Sequence, residues 1–322
     1  MCTCRALLQA ELKLVYNPVT GSFNFQIEYM KRTINKFLTI GLLAFLRLRA
    51  CKKGFLERTR SDALPDDEAL STESGLENAL NGAYATLRAV GLFGRDIPVI
   101  GDLHADNTFV ETQNTGRYLQ WYNYSVTVND GHAAAMWGNA YTAIQRVNRI
   151  LEAEVTGGRV DGIKAEAYAL RGLMYFHLIR TFAQPHSENP NGPGVPLVLK
   201  YDPYSVAENR NTIAEVYAQI VSDLQAGYQN GPEYTSSARL SKYAIGGLLA
   251  KVYLNMGDYA NAKTAAIDVI ENSGFTLVTP AAYEGFWANP APREDQVETL
   301  FEVDADVVNN NAFDDLAGIY VN

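Results

Sequence analysis

Cysteine is nearly missing from this chain of 322 residues: three occur, Cys2, Cys4 and Cys51, all within the first 51 positions. Nothing downstream can pair with them, so no disulfide framework holds the body together. Cys2 and Cys4 lack a second Cys or His pair at ligand spacing, which argues against a zinc site. Histidine is equally sparse, with His104, His132, His177 and His186 scattered singly. No phosphate loop, dinucleotide fingerprint or zinc signature occurs, and no cofactor is expected. Positive charge is short as well: 27 Lys+Arg stand against 36 Asp+Glu, a formal charge of -9. Without a basic cluster no face suits a phosphate backbone, which excludes nucleic acid as a partner. The apolar run at residues 37–46 is about half the length of a membrane-crossing helix. What is present is ordinary globular composition, 47% hydrophobic and 20% charged, with aromatics tilted toward tyrosine.

The N-terminal region has the order of an export signal. From Met30 the chain reads Met-Lys-Arg-Thr-Ile-Asn-Lys, then the apolar run, then Leu48-Arg49-Ala50-Cys51. A basic segment followed by a short apolar segment is the pattern of a cleaved signal peptide. Leu48 and Ala50 before a lone Cys resemble the lipobox of bacterial lipoproteins, from which Arg47 and Arg49 depart, and Cys51 is the expected lipidation site. Residues 30–50 are then the signal peptide and 51–70 the lipid-anchored linker. Residues 1–29 are expected to be a non-native extension from a start codon assigned too early. Removing residues 1–50 takes away seven basic side chains and only two acidic ones, so the remaining body is more acidic than the whole.

Downstream the spacing predicts a mainly α fold with long irregular loops. Leu76, Leu80, Ala83, Tyr84, Leu87 and Val90 fall on one helical face, ended by Gly91. Across residues 93–131 helical spacing gives way to Gly, Asp, Asn and aromatics, a long insert of the kind that carries function. A second helix follows at 132–154 and a third at 162–182, apolar nearly all round and therefore central. Five prolines between residues 184 and 211 mark a crossover. Thr212-Ile-Ala-Glu215 is a capping box opening a fourth helix. The fifth and sixth, at 242–256 and 259–271, form a hairpin. There Leu249, Ala250, Tyr253, Gly257, Tyr259 and Ala262 match tetratricopeptide spacing. That pattern predicts Ala250 and Ala262 in close approach, with Tyr253 and Tyr259 filling the groove beside them. Gly172 and Tyr175 repeat part of it.

Several ordered segments resemble one family: Phe55-Leu56 after the lipobox-like Cys; Trp137-Gly-Asn-Ala-Tyr141 through Asn148 and Leu151-Glu152; Ala165-Glu166-Ala167 through Leu170-Arg171, Tyr175-Phe176 and Arg180; Gly194-Val-Pro196-Leu197-Val198; and Leu248-Leu249-Ala250-Lys251-Val-Tyr253-Leu254-Asn-Met-Gly257-Asp258-Tyr259. They resemble the SusD/RagB family of outer-membrane nutrient-binding lipoproteins, from Cys51 to the C-terminus. The resemblance implies a tetratricopeptide-like scaffold, lipid-anchored on the cell-surface side of the outer membrane. It implies capture of glycans or other oligomers, such as peptides, for a SusC-type TonB-dependent transporter. Lys52 and Lys53 depart from the acidic residues such lipoproteins often carry after the Cys. Family chains continue well past the equivalent of Phe301-Glu302-Val303, so 71–322 is expected to be the N-terminal helical domain of a longer protein, its C-terminal region missing.

Sugar binding without catalysis needs flat aromatic faces for CH groups and short polar side chains for hydroxyls. The insert offers Asp102, His104, Asp106, Asn107, Tyr118, Trp121 and Tyr122, and stacking at Trp121 is expected to outweigh polar contact at Asp106. The competing reading makes Trp121 and Tyr122 core residues of a packed loop, as Trp137 is expected to be on its helix. Two other functions compete. Asp102 and Asp106 could form the carboxylate pair of a glycoside hydrolase, although paired acids in a polar loop more often cap turns. The repeat alone would suit a protein-interaction scaffold. A non-enzymatic binding protein is the favoured reading.

Overall fold

The computed structural model describes residues 70–202, 209–306 and 308–320, together with residue 19 and a short hairpin near the N-terminus. The expected signal peptide at 30–50, the expected lipidation site Cys51 and nearly all of the expected linker lie outside the described residues. The chain divides into two units, Met1–Leu64 and Pro65–Asn322. In the first, β1 (Val15–Asn17) pairs antiparallel with β2 (Ser22–Asn24), Tyr16 opposite Phe23.

The second unit is helical. Its principal elements are α1 (Glu73–Leu87), α2 (Asp96–His104), α3 (Leu119–Tyr122), α4 (Gly131–Glu152), α5 (Val160–Phe182), α6 (Ile213–Asn230), α7 (Lys242–Met256), α8 (Tyr259–Asn272), α9 (Tyr283–Trp287) and α10 (Leu316–Tyr320). Short polar side chains start the long ones by accepting a bond from an otherwise unpaired backbone N–H. Thr72 caps α1, Asp130 α4, Ser241 α7 and Asp258 α8. At Thr212 the full capping box forms, with the Glu215 side chain returning to the Thr212 N–H. Gly257 ends α7 in the left-handed conformation that glycine adopts without steric cost.

α5 is the axle. It packs on α4 and α6, α1 lies against α4 and α5, and α7 and α8 extend the array beyond α6. The core runs through Leu76, Leu80, Ile144, Val147, Leu170, Met174, Phe176, Ile220 and Ile245. One buried polar knot crosses it. Arg171 on α5 donates two bonds to Asp223 on α6 at 2.8 and 2.7 Å and one to Asn148 on α4 at 2.9 Å. Asn148 in turn donates to the Val198 and Lys200 carbonyls, and Tyr175 bonds both the C=O and the N–H of Val198. The proline-rich crossover is thus tied to three helices. A second knot joins α1, α5 and the start of α7: Arg239 donates to Glu166, Glu77 and Asn81, and Tyr84 donates to Glu166.

Three expectations need correction. The stretch before Gly131 is not wholly irregular, because α2 occupies Asp96–His104. Gly91 does not end α1, which stops at Leu87 and is capped by Arg88. Gly91 instead lies against α4, where a Cβ would meet the Asn139 amide at 2.6 Å and the Ala135 backbone at 2.8 Å. Tyr259 does not fill a groove: as the first residue of α8, at the turn end of the hairpin, it is 71% exposed. Tyr253 packs against the core as expected. Ala262 is buried and Ala250 half-buried, but the tight passage is at Gly246, whose added Cβ would meet Val269 at 3.0 Å and Tyr228 at 3.1 Å.

Candidate functional site

The insert folds around its own small core. Val99, Ile100 and Leu103 on α2 meet Tyr118 and Trp121 at α3 and Met136 on α4, with Leu316 and Ile319 of α10 packed against them. The chain reaches α3 through Tyr118 in the left-handed region, φ 59°. For a bulky residue this is an outlier costing on the order of 1–3 kcal/mol, sustained only where the surroundings hold it.

What holds Tyr118 is Asp96, the first residue of α2 and fully buried. Its carboxylate accepts from the Tyr118 hydroxyl at 2.5 Å, from Arg95 Nε at 2.9 Å and from His132 Nδ1 at 3.2 Å. Burial alone would raise its pKa, but the bonds from His132, Tyr118 and Arg95 outweigh that and hold it below the usual carboxylate range. Burial, then the adjacent carboxylate, pushes the Tyr118 hydroxyl well above its ordinary value, so it remains a donor. The His132 ring stacks on Tyr118 at 4.4 Å. Arg95 also reaches Asp314, which is shared with Arg117.

Around this network opens a cleft of about 500 Å³ lined by Gly91, Arg95, Asp96, Gly116, Tyr118, Gln120, Trp121, Asp130, His132 and Asn139, among others. Asp130 accepts from the Trp121 indole N–H at 3.1 Å and from the Ala133 N–H at 2.8 Å.

The residues expected from sequence divide between two places. Tyr118 and Trp121 line the cleft, but at 5% and 6% exposed they are mainly core. His104 is exposed and stacks on Tyr124, ring centroids 5.0 Å apart and planes 16° apart. Its other neighbour is Trp121, at 5.6 Å. Asp102 accepts bonds from Asn107 and from Tyr320 of α10. Asp106 and Asn107 are exposed, Asp106 at a left-handed turn position, and Tyr122 is 39% exposed. Trp137 is partly buried against the core, as its helix position implied. Sequence reasoning missed Arg95, Asp96, Gln120, Asp130, His132 and Asn139, because they come from three separate segments that only the fold brings together. Tyr124, 66% exposed, was passed over beside Trp121 and Tyr122. Among the described residues, no group of three or more His, Cys, Asp or Glu could hold a metal ion.

Comparison with known proteins gives one consistent result. Residues 54–254 match a family described as SusD-like, starch-binding and associating with the outer membrane. SusD-like protein P2 of Formosa agariphila is 27% identical over 245 residues, covering 74% of this chain and 47% of that protein. Among solved structures, a SusD superfamily protein of Bacteroides thetaiotaomicron aligns with a TM-score of 0.65 at 27% identity, over 76% of this chain and 54% of that one. A structure solved with a xylogluco-oligosaccharide aligns at 0.57 and 26% identity, over 71% of this chain and 46% of that one. The chain spans about half the length of the curated relatives it matches.

Proposed function

This chain belongs to the SusD-like family, whose fold is the helical, tetratricopeptide-like array described above, and from that premise we propose that it captures glycans at the outer membrane without cleaving them. The observation that carries the proposal is the exposed His104–Tyr124 stack beside a cleft rich in hydrogen-bonding groups. A flat aromatic pair receives the CH face of a sugar ring, while amide, imidazole and carboxylate groups meet its hydroxyls. Trp121 stands between the two, touching His104 on one side and bonding Asp130 in the cleft wall on the other. In this reading Asp102, His104, Asp106, Asn107 and Tyr122 form the outer surface, and Tyr118 and Trp121 support it from below. Asp102 is engaged by Asn107 and Tyr320, a structural use of the carboxylate that favours binding over hydrolysis.

The rest of the proposal is the protein's setting. A signal peptide at residues 30–50 directs export, Cys51 carries the lipid, residues 51–70 form a tether and the body from 71 onward presents the site on the cell-surface side. Residues 1–29 are not part of the processed protein. The captured oligosaccharide passes to a SusC-like TonB-dependent transporter. The apolar side chains exposed on the α7–α8 hairpin, Leu254, Tyr259 and Ile270, offer a face for that protein partner.

Calorimetry with neutral oligosaccharides chosen by glycan array, with chromatography of the same mixtures after long incubation, tests the central claim. Tyr124→Ala should weaken binding by about tenfold, the scale of one aromatic stacking contact. Shortened products that vanish in Asp102→Asn would move the reading to an enzyme.

A further inference from the structure

The cleft behind the aromatic stack contains side chains whose hydrogen-bonding capacity the fold has not used. With Asp96 ionised, its oxygens only accept, so the proton of the 3.2 Å contact sits on His132 Nδ1. The tautomer with its one proton on Nδ1 presents Nε2 as an acceptor, and the ring cannot turn freely because it is stacked on Tyr118. The Asn139 and Gln120 side-chain amides also line the cleft, and among the described residues neither has a hydrogen-bond partner. In that tautomer one acceptor and two donor–acceptor amides belong to residues that line one opening.

The charges there, by contrast, are all committed. Arg95 is bonded to Asp96 and, beyond the lining, to Asp314, and Asp130 is bonded to the Trp121 indole and the first turn of α4. Among the Arg, Asp and Glu side chains that line the cleft, one guanidinium stands against two carboxylates, so beside an Nε2 that accepts, an anionic ligand would meet no free cation and an excess of negative charge. Desolvating a sulfate or uronate in such a site is unfavourable. Neutral hydroxyls incur no such penalty.

We propose that this cleft is a subsite for a neutral sugar residue, in which His132 Nε2 accepts a ligand hydroxyl and the Asn139 and Gln120 amides pair with its neighbours. Asp96 is a positioning residue: it fixes the tautomer and orientation of His132 and does not touch the sugar. The proposal rests on the glycan-capture reading and adds to it the class of sugar and the residues that select it.

The test uses the whole chain with xylogluco-oligosaccharide, cello-oligosaccharide and malto-oligosaccharide as neutral probes. Oligogalacturonate and a sulfated carrageenan oligosaccharide are the anionic ones. At least one neutral probe should bind at least tenfold more tightly than either anionic probe. His132→Ala and Asn139→Ala should each weaken that binding by about three- to tenfold, the scale of one net hydrogen bond. Nitrogen-15 shifts of the His132 ring, read on the unaltered protein, should show Nδ1 protonated and Nε2 shifting when the neutral probe is added. Tighter binding of an anionic probe overturns the neutral class. Binding that survives both substitutions but is lost in Tyr124→Ala overturns the subsite and leaves glycan capture standing. If no probe binds at all, the capture reading fails first. A ring protonated at Nε2 overturns the role of Asp96.

Discussion

A single buried carboxylate organises the insert, and Asp96 shows how little of that is visible one residue at a time. Its folded-state pKa lies below the ordinary range, so it contributes stability above that range, and the contribution is lost as pH falls through the folded value. Urea denaturation at pH 7 and again near pH 3 should therefore show a loss of stability in acid that is smaller in Asp96→Asn. At pH 7 the same substitution should cost about 1–3 kcal/mol, because Arg95 keeps its burial and loses its closest charge. A second buried residue gives a sharper contrast. Asp223→Ala strands Arg171 in the core, an expected loss of about 3–5 kcal/mol, whereas replacing both partners by apolar residues of similar volume should recover most of it. An unfolding midpoint unchanged in Asp223→Ala would show that the pair contributes nothing. From sequence, Asp96 read as one acid among 36 and Arg171 as one position on a motif. Tyr118 and Trp121 stand out by type as aromatics in a polar loop, but their burial in the insert's core does not show in the sequence. Their partners do not stand out, since a carboxylate's role depends on which donors converge on it from segments distant in sequence.

Helix positions were legible for a different reason. Period and caps are local, so α4 to α8 lie within a few residues of their expected bounds, and Thr212 with Glu215 forms the capping box its spacing announced. α2 was hidden by Pro98 and Gly101 in a nine-residue segment. Proline is harmless there, because it falls in the first turn, where the backbone N–H has no partner within the helix. Burial of Val99, Ile100 and Leu103 then outweighs the poor propensity of the segment. The glycines were the harder case, since sequence cannot tell a loose one from a tight one. In α6, a Cβ at Gly227 would meet the Ala165 carbonyl oxygen at 2.8 Å, and the backbone of α5 cannot give way as a side chain can. Better helix propensity returns about 1 kcal/mol, while overpacking takes about 1–3, so Gly227→Ala should destabilise. At Gly82 in α1 and Gly138 in α4 nothing lies within 4 Å of the added Cβ. Alanine there should stabilise by about 0.5–1 kcal/mol. Thermal melts of the three single variants decide it; equal effects would mean the α5–α6 passage is looser than it looks.

At the scale of the molecule, the proposed lipid anchor can be tested apart from the folded body. Among the described residues no helix is long and apolar enough to cross a membrane. The anchor proposed above is covalent and rests on the order of a basic segment at Met30, an apolar run at 37–46 and Cys51 behind Leu48 and Ala50. Each buried methylene of an acyl chain contributes about 0.8 kcal/mol, and one chain alone binds reversibly, so stable anchoring needs more than one chain or a second signal. A lipoprotein carrying several acyl chains on one Cys meets that requirement without any contribution from the folded body. On that proposal the helical array needs no membrane-facing surface, and the exposed apolar side chains at Leu254, Tyr259 and Ile270 are the face proposed for a protein partner. In a host with the lipoprotein pathway, the protein should incorporate labelled palmitate and sediment with outer membranes. Its mass should match processing at Cys51, with residues 1–50 gone. Cys51→Ala should lose the label and leave the membrane fraction, while keeping the melting temperature and glycan affinity of the body. Label retained in that variant, or a lipid-free protein still bound to membranes, would place the anchor elsewhere in the chain.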